Sequence, residues 1–60
     1  MTLREAEGKR VKITFLDGET MTGTVSCYTS ALDNEPDPAS ITIGNVELFE
    51  SEIETIEPLT

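Results

Sequence analysis

The sequence predicts a mostly β protein: a small, five-stranded, strongly bent antiparallel barrel with a short N-terminal α-helix. Three observations carry this. Apolar and polar residues alternate over Val11-Lys12-Ile13-Thr14-Phe15, and again from Thr20 to Cys27. A sheet with one buried and one wet face requires this period of two. Asp17-Gly18 separates the two runs and reads as a tight turn, because glycine reaches positive φ at no steric cost. Gly23 interrupts the second run, and a glycine inside a strand marks a bend or a close backbone approach. A bend there lets one long strand serve two sheets, as small barrels require.

The elements follow in order. Residues 1–8 read as one short helix. Thr2 and Glu5 have capping-box spacing, Leu3 and Ala6 give an apolar edge, and Gly8 is a stop signal. A helix this short holds only when docked, and its expected place is over one open end of the barrel. Residues 9–16 form the first strand, with Val11, Ile13 and Phe15 inward. Residues 19–29 form the second, with Met21, Gly23, Val25 and Cys27 inward and Cys27 acting as a small buried hydrophobe. Residues 30–39 form a loop, since two prolines and several polar turn formers exclude a central strand. As the longest irregular segment, it is where function specific to this chain is expected. Residues 40–43 form the third strand, with Ile41 and Ile43 inward, and Gly44-Asn45 the next turn. Residues 46–50 form the fourth strand, with Val46 and Leu48 inward and Glu47 outward. Ser51-Glu52 is a break of a single helical turn, and residues 53–57 form the fifth strand, ended by Pro58.

Sixty residues allow one domain. A chain of this length buries only about 60% of its unfolded surface, so small domains recruit a disulfide, a metal or a partner. One cysteine and no histidine exclude an internal disulfide and a cysteine–histidine zinc site. Tight idealised packing or self-association remains, and self-association is the expectation. No apolar run reaches the length of a membrane span and no signal peptide is visible, which points to a cytoplasmic protein with no membrane partner. Asp33, Glu35 and Asp37 lack the glycine and closing glutamate of a calcium loop, so a solvated loop is expected, with no metal and no cofactor. No serine or cysteine has an evident base beside it, and alternation puts most of Glu47, Glu50, Glu52, Glu54 and Glu57 on a wet surface. The protein is therefore expected not to be an enzyme.

The charge is unevenly placed. The first twelve residues hold all four bases and two acids, net +2, and the rest hold ten acids and no base, net −10, which gives the total of −8. So negative a chain repels phosphate backbones and favours a basic partner. Tyr28 is the only tyrosine. On an outward-facing position it can pack under the loop or at a subunit contact, or stack on a base, and packing is the expectation.

A helix followed by five short strands, with Gly8, Val11-Ile13-Phe15, Asp17-Gly18, Gly23, Val25 and Tyr28 in this order, resembles the Sm-like family. The C-terminal Ile53-Glu54-Thr55-Ile56-Glu57-Pro58 is similar to the last strand of its bacterial Hfq branch. The resemblance implies a ring in which the edge of strand four pairs with strand five of the next subunit. Leu48, Phe49, Ile53 and Ile56 would be the apolar interface residues, in a homo-oligomer of about five to seven chains closed by head-to-tail contacts. It also implies a single-stranded RNA pocket around Tyr28, Thr29, Leu32, Asp33, Asn34 and Ser51. Here Thr29 stands where many members have aspartate, Leu32-Asp33 replaces a hydrophobic–asparagine pair, and Glu50-Ser51 replaces the lysine–histidine pair of Hfq. A glutamate there repels an RNA backbone where the family attracts it. The functional expectation is a small non-enzymatic, regulatory or RNA-binding Sm-like ring. The alternative is an acidic SH3-like module, or nucleic-acid mimic, that docks a basic protein.

Overall fold

In the computed structural model, which describes residues 1–59, Thr2 starts the first element. Its Oγ1 accepts from the Glu5 N–H (3.2 Å), and Glu5 Oε1 accepts from the Thr2 N–H (2.8 Å). This completed capping box opens α1, Leu3–Ala6. The helix is shorter than the sequence suggests. Gly8, at φ +80°, turns the chain out of it. The Gly8 N–H then donates to the Val25 carbonyl (2.8 Å), so residues 7–9 are drawn into the sheet. Leu3 and Ala6 are buried, and the helix packs on β2 and β5.

The strands are β1 (Arg10–Phe15), β2 (Thr20–Thr29), β3 (Ser40–Ile43), β4 (Val46–Phe49) and β5 (Ile53–Pro58). Short 3-10 turns occupy Leu32–Asn34 and Glu50–Glu52. All neighbours are antiparallel, in the order β4-β3-β2-β1-β5. The central strand is divided: residues 20–24 pair with β1 and residues 25–29 with β3. The sheet is strongly curved, since the molecule measures 30 × 25 × 21 Å and its shortest dimension is about twice the roughly 10 Å spacing of packed sheets. It does not close, however. β4 and β5 end the sheet, joined by the turn at Glu50–Glu52, so the barrel expected from sequence is a bent open sheet.

Gly23 lies where β2 passes from one neighbour to the other. A Cβ added there would stand 2.5 Å from Cγ2 of Ile43, so the Ile43 side chain of β3 packs in space that a side chain on β2 would occupy. Just beyond it the register shifts: Val25 faces Ile43 and Cys27 faces Thr42. Two steps on β2 match one on β3, which is a β-bulge. The inside–outside alternation therefore changes phase. Cys27, expected inside, is exposed, and Tyr28, expected outside, is half-buried against the core.

Val11 and Ile13 of β1, Val25 of β2 and Ile41 of β3 are fully buried. Ile43, Leu48, Ile56 and Ala39 complete the core around them with the two helix residues. Val46, expected inward, is 46% exposed. It opens the edge strand directly after the Gly44-Asn45 turn, beyond the reach of the core.

The close approach predicts that Gly23→Ala destabilises the fold by about 1–3 kcal/mol, as overpacking does. In urea unfolding, removing Cγ2 with Ile43→Ala should make the double variant more stable than the two single losses predict; simple additivity would argue against the contact. The capping box predicts an acid effect. Hydrogen bonds from the Thr2 backbone and side chain hold the Glu5 carboxyl below its ordinary range. A lowered folded value stabilises above the ordinary range, and that share is lost as pH falls through the lowered value. The stability difference between wild type and Glu5→Ala should therefore shrink from neutral to acid pH. A difference constant with pH would contradict the assignment.

Candidate functional site

Tyr28 is held by the segment before β1. The first β1 pairing is Arg10 with Thr24, and the Val25 N–H reaches back to the Lys9 carbonyl (3.0 Å). Beyond that point no strand of the described residues lies on this side of β2, yet a backbone donor there still needs an acceptor. Glu7 supplies one: the Tyr28 N–H donates to Glu7 Oε2 at 3.0 Å. Arg4 lies over the ring, its guanidinium carbon 6.0 Å from the centroid, within cation–π range. Glu7 and Arg4 together bind the short helix segment to the end of β2.

The loop after β2 folds back on the sheet. Asn34 Nδ2 donates to the Pro38 carbonyl (2.8 Å) and to Ser40 Oγ (3.4 Å). Ser40, only 1% exposed, donates in turn to Glu47 Oε2 at 2.7 Å. This chain of bonds runs from the loop through β3 to β4. Ser30 Oγ donates to Asp33 Oδ2 (3.2 Å) and accepts from the Asp33 N–H (3.4 Å). Thr29, half-buried, pairs with Ser40. Leu32 is 81% exposed and Asp33 also faces water. The Asn34 amide nitrogen is thus spent inside the molecule, while Leu32 and Asp33 point out.

Ser51 stands elsewhere. It lines an open cleft of about 410 Å³ with Phe15, Leu16, Asp17, Glu19, Leu48 and Glu52. None of Tyr28, Thr29, Leu32, Asp33 or Asn34 lines that cleft. The loop and the turn at Glu50–Glu52 are joined where the Glu50 N–H donates to the Ala39 carbonyl (2.8 Å). Of the four apolar residues expected at an interface, Leu48 and Ile56 are buried in their own chain's core. Phe49 and Ile53 are half-buried on either side of the turn.

Leu16 is a further residue of this cleft, and its signal in the sequence is the pair Phe15-Leu16, which breaks the alternation just before Asp17-Gly18. Two adjacent large apolar residues cannot both face one side of a strand, and Leu16 is the one left 66% exposed. Asp33, Glu35 and Asp37 do not converge; among the described residues no three acid or cysteine side chains gather as metal ligands. Also among these residues, no helix is long and apolar enough to cross a membrane. Comparison with protein-family models, curated proteins and solved structures finds no match.

If Glu7 completes the free side of β2, Glu7→Ala should expose the Tyr28 amide. Hydrogen exchange at Tyr28 should quicken about tenfold or more, while Ile13 in β1 keeps its rate. Equal rates at Tyr28 in both proteins would show that another group protects it.

Proposed function

We propose that this chain is a non-enzymatic assembly module of the Sm-like type, whose copies join head to tail through the outer edges of β4 and β5 into a closed ring. One observation carries the reading: the open sheet ends in β4 and β5, two strands each with one edge left unpaired among the described residues. Edge strands present rows of backbone donors and acceptors ready to pair with another chain. A contact between two different edges of identical subunits is heterologous, and it closes when the rotation per copy allows.

Phe49 and Ile53 support this reading, because their side chains retain area beyond the core. The buried side chains of Leu48 and Ile56 would support the edges from within. Glu47 on β4, with Glu54 and Glu57 on β5, all exposed, bring like charge to the contact. Backbone pairing and the two apolar side chains must outweigh it.

RNA takes second place in this reading. The Asn34 nitrogen is already bonded, Arg4 covers Tyr28, and residues 13–60 carry no base to hold a phosphate.

Light scattering on a size-exclusion column tests the assembly. A mass of about five to seven chains is expected, and Phe49→Asp should lower it while thermal unfolding shows the variant still folded. A monomer at every salt concentration would remove the ring and leave the fold untouched.

A further inference from the structure

The cleft beside the β1–β2 turn combines two properties that a solvated surface has no need to combine. Its apolar part is Phe15, Leu16 and Leu48, and its acidic part is Asp17, Glu19 and Glu52. Single exposed leucines are ordinary on protein surfaces. Leu16 differs because it continues into Phe15 and the buried Leu48 within one concavity.

The walls are fixed in advance. The Gly18 N–H donates to the Phe15 carbonyl (2.9 Å), and the Phe15 N–H to the Glu19 carbonyl (2.8 Å). Asp17 Oδ1 accepts from the Glu19 N–H (2.9 Å). Across the cleft, the Leu16 N–H donates to the Glu52 carbonyl (3.0 Å), which ties the hairpin to the turn at Glu50–Glu52. An occupant therefore meets an ordered surface, and little is lost in organising it.

The electrostatics select the occupant. Three carboxylates and no base line the cleft, and a concave wall of one sign concentrates its field. Phosphates and nucleic acid are repelled. A ligand that satisfies both parts must carry cations and an apolar side chain together. The shape narrows the choice. Small-molecule sites enclose most of their ligand, whereas this cleft is open to solvent, which suits a chain segment laid against it.

We propose that the cleft binds a basic peptide segment of a partner protein. An aliphatic side chain of that segment packs on Leu16 and Phe15, and neighbouring lysines or arginines face Asp17, Glu19 and Glu52. This goes beyond assembly and does not require it.

The test uses a fluorescently labelled, end-capped peptide with a central leucine flanked by arginines, followed by anisotropy at low and moderate salt. An acidic protein attracts any cationic peptide, so the decisive variants hold charge constant. Leu16→Ser, and separately leucine to serine in the peptide, should each weaken binding about tenfold. Glu19→Gln and Glu52→Gln should each weaken it about threefold, and more than Glu35→Gln, which removes the same charge from the distant loop. Leu16 is exposed, so Leu16→Ser should keep the wild-type unfolding temperature. Equal effects of all three glutamate variants with no effect of Leu16→Ser would overturn the proposal in favour of diffuse surface attraction. So would a labelled uridine-rich RNA that, with no peptide present, binds the protein and loses that binding on Leu16→Ser. A drop in oligomeric mass on Leu16→Ser would also overturn it, because a second copy would then occupy the cleft.

Discussion

At Gly23 the backbone of β2 comes so near to Ile43 that a single methyl group would stand 2.5 Å from Cγ2. The rest of the structure follows from that approach. Close to that contact β2 changes partner: residues 20–24 pair with β1 and residues 25–29 with β3. One strand thereby connects two halves of a curved sheet, and the inward faces of both halves meet over one core. Sixty residues offer too few side chains to fill two separate layers. Curvature makes the same residues serve as both, with Val11, Ile13, Val25 and Ile41 all fully buried in one core. The helix then needs to contribute only Leu3 and Ala6.

Charge is arranged around this frame with a clear polarity along β1. Arg10 begins the strand, and Phe15 leads out of it toward Leu16 and Asp17. Five residue steps of about 3.4 Å put roughly 17 Å between these ends. The bases gather at the helix end, where Arg4 and the first strand residues lie, and the acidic cleft sits at the other. Two exposed glutamates on β5 and one on β4 discourage indiscriminate edge-to-edge pairing, a common defence of exposed strands. Any partner, a second copy included, must fit both the shape and the sign of the surface it meets.

Much of the fold was legible because its signals are local. The capping box is a four-residue pattern and formed as read. Alternation located β1 and β2 to within a residue, and Ser40–Ile43 matched the expected third strand. Gly23 gave away the bend because only the missing side chain permits it. The losses were equally physical. A bulge has no local mark in a run such as Val25-Ser26-Cys27-Tyr28: it arises from how β3 pairs, and one extra residue sends Cys27 out and Tyr28 in. The folding back of the loop depends on Asn34 reaching Ser40, six residues away. That pairing is a fact of three dimensions. Leu16 was legible in principle, since its neighbour Phe15 already occupied the inward position.

The pairing of β1 with β5 also bears on how the chain acquires its shape over time. β1 and β2 meet across a short turn, a closure that is entropically easy and fast. Val11 and Pro58, by contrast, are partners 47 positions apart. Contacts of such long range slow folding, because the chain loses its freedom before the contact repays it. During synthesis β1 can acquire β2 early but must wait for β5. Until then the far edge of β1, with Val11 and Ile13 behind it, lies open to other chains. The helix packs on both β2 and β5, so it too reaches its final seat only when that wait ends.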